Sequence, residues 1–83
     1  MTPYKAAFAI GADVRIADAS RLTEFQQTWR YHHKLTAVQI KYAGVVTRVD
    51  KIGYYHGGDV LYWLRDVPGT WHEQCLYSAA SEP

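Results

Sequence analysis

The histidines His32, His33, His56 and His72, with Asp59, Glu73 and the single cysteine Cys75, are the residues of this sequence whose types and spacing bear most directly on chemistry. Zinc takes three or four nitrogen, sulfur or oxygen donors converging at about 2.0 to 2.3 Å, usually from pairs two to five residues apart on either side of a turn. His72 and Cys75 have that separation, and His56 and Asp59 flank Gly57-Gly58. A metal centre would draw on His56, His72 and Cys75, and a small enzyme or metal protein on these with Asp59 and Glu73. Hydrogen-bonded or surface imidazoles account for the same histidines without any cofactor. The donor set is incomplete as a zinc motif, so no cofactor is expected and no catalytic residue is assigned.

Cys75 would act as a nucleophile only if exposed and held as thiolate by an imidazolium or a helix N-terminus. Trp71 and Leu76 mark its segment as core-seeking, so a buried, inert thiol is expected. Gly57-Gly58 lacks the following Lys and helix of a phosphate loop. The paired acids of a glycosidase need a cleft that so small a chain seldom builds alone.

The aromatic residues are more informative: three Trp, seven Tyr and two Phe make up 14% of the chain. If Tyr62 and Leu64 point into a sheet's core, alternation sends Trp63 and Arg65 outward, and a helix bearing Phe25 and Trp29, a second subunit or a ligand must cover Trp63. Tyr31, His32 and His33 form one polar-aromatic group, and Tyr54, Tyr55 and His56 another. Such side chains join apolar area to a hydrogen-bonding tip, which suits recognition surfaces. The expected binding or interface residues are therefore Trp29, Tyr31, His32, Tyr55, His56, Trp63, Trp71 and His72.

These residues must be positioned by short elements. Val14 and Ile16 alternate with Asp13 and Arg15 beyond Gly11, predicting a strand over 12–16. Asp18 or Ser20 can cap a helix within 21–34, where Leu22, Phe25 and Trp29 recur at steps of three and four. Thr36 with Gln39 reads as a capping box opening a helical turn over 37–42 that ends near Gly44. Val45, Val46 and Val49 then form a β-branched run that should pair antiparallel with 60–67 across the Gly57-Gly58 hairpin. Pro68-Gly69 is expected to turn the chain into a further strand at 70–72. The fold class is mainly β with a helical insertion: a small barrel of four or five antiparallel strands with one helix between the first two.

At 83 residues the chain makes one domain, with a core over about 8–77 and a loose tail at 78–83. One cysteine allows no internal disulfide, so large side chains or a partner subunit must supply the missing burial, and a homodimer or higher homo-oligomer is expected. A small-molecule or protein ligand fits the same aromatic surface. Nine Lys and Arg against eight Asp and Glu give a net charge of +1. A nucleic-acid footprint would want a basic surplus; a patch of Arg30, Lys34, Lys41 and Arg48 leaves weak nucleic-acid binding as a third reading. The mildly apolar 6–12 stretch is broken by Asp13 and Arg15, too soon for an export signal, and no run reaches transmembrane length, so cytoplasmic residence is expected and no membrane partner.

The segments Phe8-Ala9-Ile10-Gly11-Ala12-Asp13-Val14, Gly44-Val45-Val46 with Val49, Leu61-Tyr62-Trp63-Leu64-Arg65 and Trp71-His72-Glu73-Gln74-Cys75-Leu76 together resemble an SH3-like barrel. Their order and spacing are similar to the C-terminal barrel of the nitrile hydratase β subunit. That resemblance implies the barrel and no activity, since the metal-binding cysteines of nitrile hydratases lie on their other subunit and the 21–34 helix departs from the pattern. Tyr55-His56-Gly57-Gly58-Asp59 with the 68–76 segment also resembles small uncharacterised bacterial proteins, some carried on integron gene cassettes. This implies a freestanding accessory protein and supplies no biochemical role.

Overall fold

The computed structural model describes residues 6–29, 32–55 and 59–79. Strand β1 (Asp13–Ile16) leads into helix α1 (Ala19–Thr28) and the short α2 (Ala37–Ile40). Strands β2 (Val46–Tyr55), β3 (Asp59–Leu64) and β4 (Val67–His72) follow, and a 3-10 turn (Glu73–Cys75) delivers the chain to β5 (Leu76–Ser78). The five strands form one antiparallel sheet in the order β4-β3-β2-β1-β5, with the helical excursion between β1 and β2. This is the mainly β, small barrel-like fold expected, with its helical insertion between the first two strands.

Long β2 serves both halves of the barrel. Its start pairs with β1 (Thr47 opposite Val14) and the remainder with β3, from Val49 opposite Leu64 to Tyr55 opposite Asp59. Between Val49 and Lys51 the register slips, leaving Asp50 as an extra residue, and such a bulge bends and twists a strand. The bend lets Val14, Ile16, Val49, Tyr62, Leu64, Trp71 and Leu76 meet in one core with Leu22 and Phe25 of α1. Trp71, Tyr62 and Cys75 are fully buried there.

Three expectations about the elements are corrected. α1 stops at Thr28 rather than continuing to residue 34: Trp29 is already extended (ψ 116°), and its indole N–H donates to the His32 carbonyl at 2.7 Å. Thr28, Trp29 and His32 are poor helix formers, and the Thr28 hydroxyl bonds back to the Glu24 carbonyl. The β3–β4 turn is Arg65-Asp66, between paired Leu64 and Val67, with Asp66 at φ 60°. Pro68-Gly69 instead lies inside β4, where the register slips against β3; this is an edge strand, so a residue without an N–H is tolerated. Finally Ser78 pairs with Val14 in β5, so the ordered chain extends past the point where a tail was expected.

Helix α2 begins as its sequence predicts. Thr36 Oγ1 accepts the Gln39 N–H, and Gln39 Oε1 accepts the Thr36 N–H, completing the capping box. The other end of the buried Gln39 amide donates to the Thr70 carbonyl at 2.9 Å, tying α2 to β4. Gly69, at φ +93°, makes room for it: a Cβ there would lie 2.7 Å from Gln39 Nε2.

Candidate functional site

Strand register decides which side chains share a surface. Residues directly opposite one another project to the same face. Tyr55 with Asp59, then Gly53 with Leu61 and His72, then Lys51 with Trp63, therefore line the face of β2, β3 and β4 opposite to the one holding Ile52, Tyr62 and Trp71. One end of that face is covered by the chain between α1 and α2.

The cover is made of rings. His32 stacks on Tyr55, with centroids 3.6 Å apart and planes 18° apart, and His33 meets Tyr55 edge-on. His72 packs against Trp29 at 4.8 Å and Phe25 at 4.9 Å, and those two rings stack on each other. His72 Nε2 lies 2.8 Å from the His33 carbonyl; an oxygen that only accepts requires this nitrogen to carry the proton. His32 Nε2 lies 2.9 Å from Asp59 Oδ2 yet makes no aligned hydrogen bond, so their attraction is that of a contact ion pair when the ring is charged. The His32 and His72 rings are 5.8 Å apart.

The site is electrically uneven. Burial holds the His72 pKa below the usual 6.5, outweighing the hydrogen bond to His33 and the field of Asp59, which favour the charged ring; His32 and His33 oppose it. At neutral pH His72 is thus a neutral donor. Asp59 is more accessible, and so is Tyr55 at 37% exposed.

A second polar network lies at the opposite surface of β3. The Tyr62 hydroxyl donates to Glu73 Oε2, which also accepts the Ala7 N–H at 2.8 Å. Phe8 N–H donates back to the Tyr62 oxygen at 3.3 Å, and the Phe8 ring meets Tyr62 edge-on. Burial and then the hydrogen bond to Glu73 push the Tyr62 pKa up, so the phenol stays protonated. This network straps residues 6–8 to the barrel and leaves Glu73 in a structural role.

Of the residues anticipated from sequence, the structure brings together Trp29, His32, Tyr55 and His72, with Asp59. Tyr31 and His56 lie outside the described residues. Trp71 does not join the surface: it is fully buried, and its indole donates to the Pro68 carbonyl. His72 is likewise buried, because the ring cluster closes over it. Trp63 does face outward, but Phe25 and Trp29 go to His72 instead of covering it. Its ring lies on Gly53, where a Cβ would come within 2.8 Å, and Lys51 Nζ sits 5.0 Å above it. Sequence reasoning undervalued His33, whose carbonyl and left-handed backbone (φ 51°) shape the site, and only the fold reveals that role. The buried Gln39 clamp was half visible in the capping box.

Among the described residues no group of three or more His, Cys, Asp or Glu side chains could hold a metal ion. Cys75 is sealed in the core, and burial pushes its pKa up to about 12, the state of an inert thiol. A concavity of about 400 Å³ lies away from the histidines among Tyr42, Val45, Val46 and Val67. Its rim charges Arg48 and Arg65 are engaged by Asp13 and Asp50, so it offers little chemistry. No helix among the described residues is long and apolar enough to cross a membrane. In comparison with known proteins, no family model, no curated protein and no solved structure matches this chain.

Proposed function

We propose that the chain is a small interaction module that associates with copies of itself through the aromatic-histidine surface at Tyr55, His32 and His33. The observation that carries this reading is the His32–Tyr55 stack beside Asp59. Three separate stretches of chain converge there to present flat rings with polar tips, and Tyr55 remains 37% exposed. Tyrosine and histidine in this setting bury large area at low entropic cost. A domain of this size, without a disulfide, gains from the extra burial. The resemblance to small bacterial proteins, some on integron cassettes, supports an accessory module over a catalytic one.

Sedimentation velocity over a wide concentration range tests this. The wild-type chain is expected to gain mass with concentration, and Tyr55→Ala to shift that association at least about ten-fold toward monomer, the loss of one interface aromatic. A wild-type chain that stays monomeric throughout contradicts the proposal, as does an oligomer indifferent to Tyr55→Ala.

A further inference from the structure

The segment 32–35 belongs to no helix or strand. At its far end Leu35 is buried and its carbonyl accepts from Gln26 Nε2 at 3.1 Å. At its near end the attachments run through rings: the Trp29 indole on the His32 carbonyl, His32 on Tyr55 and Asp59, and His72 Nε2 on the His33 carbonyl. His33 is also one of two non-glycine residues with positive φ among the described residues, a conformation that costs an L-residue about 1 kcal/mol and persists only where contacts hold it. The contacts that hold it are the His72 donor on its carbonyl and the packing of its ring on Tyr55 and His32.

We propose that His72 is a latch: its neutral ring holds the strained His33 turn against the barrel, and acid opens that turn by charging the imidazole cluster. Around His72 the loop contributes His32 and His33, β3 contributes Asp59, α1 contributes the rings of Phe25 and Trp29, and β2 contributes Tyr55 through its stack on His32. His32 Nε2 lies 2.9 Å from the Asp59 carboxylate. A proton on the buried His72 is opposed by its burial and by the neighbouring His32, 5.8 Å away, and His33. The hydrogen bond to the His33 carbonyl and the field of Asp59 return part of that cost, and burial outweighs them. The folded His72 binds its proton less readily than the free side chain does, so the opened turn takes up the extra proton. The closed turn keeps its full advantage well above 6.5, the value of the free side chain, and loses it progressively as pH falls below that toward the lowered pKa of the folded His72.

The latch concerns how the turn is held and stands whether or not the surface it shapes joins two copies. It is tested by NMR exchange of the Trp29 indole N–H, which donates to the His32 carbonyl, on the full chain at the lowest workable concentration and with intrinsic rates corrected. Between about pH 7.5 and pH 5 the wild-type indole should lose protection beyond the intrinsic change. His72→Gln keeps an amide donor for the His33 carbonyl and cannot titrate, so its protection should stay level. Asp59→Asn removes the carboxylate that favours the charged cluster and should enlarge the loss. Wild-type protection that does not change over this range overturns the proposal, as does an equal loss in His72→Gln. If that variant does not fold, a loss in Asp59→Asn no larger than in the wild type has the same consequence.

Discussion

Two polar networks tie irregular chain to the same barrel, and they differ in kind. At the first, Tyr62 and Glu73 hold residues 6–8 by neutral or backbone donors around a fully buried phenol whose pKa is raised, so acid near neutrality leaves the Tyr62 donor in place. At the second, His32, His72 and Asp59 hold residues 32–33 with imidazoles, one buried with a lowered pKa and one off the line of its carboxylate. The first satisfies the buried Tyr62 hydroxyl, and the second leaves His32 Nε2 without an aligned hydrogen bond. The comparison teaches that one anchor is built to persist and the other to respond.

The largest effect belongs to what both networks rest on. Trp71→Ala should destabilise the fold by about 3–5 kcal/mol in denaturant titrations, since it empties the core beneath both. Equal damage to both anchors would sharpen the contrast by making the barrel their common frame. Tyr62→Phe should cost about 1–3 kcal/mol and speed amide exchange at Phe8 while leaving the Trp29 indole N–H on the 32–35 turn protected. Loosening of both segments together would break the distinction. Asp59→Asn should cost only about 0.2–1 kcal/mol near neutral pH, because the pair is partly exposed, and its effect should appear chiefly as a steeper acid dependence.

The barrel was legible from local pattern. Val14 and Ile16, the Thr36–Gln39 box and the β-branched run at 45–49 each specify their element through nearby residues. The site was legible only in part, because its members meet through strand register. Tyr55 and His72 share a face since a run of antiparallel pairs carries them there, and no spacing in the sequence states that register. Trp71 looked like a surface ring until the register placed it opposite Tyr62, on the core side. Pro68-Gly69 looked like a turn because a bulge in an edge strand uses the same residues as a turn. The helix was overextended since its apolar spacing runs to Trp29, where the indole finds the His32 carbonyl and the backbone leaves the helix.

Two of the three tryptophans provide the decisive measurement. In an NMR titration from about pH 8 to pH 5, the Trp29 indole N–H reports the histidine-held turn, and the Trp71 indole N–H, bonded to the Pro68 carbonyl, reports the barrel. The Trp29 signal is expected to shift and exchange faster as pH falls below about 6.5, while the Trp71 signal holds its position. A Trp29 signal that does not respond, or two signals that change together, would contradict the account.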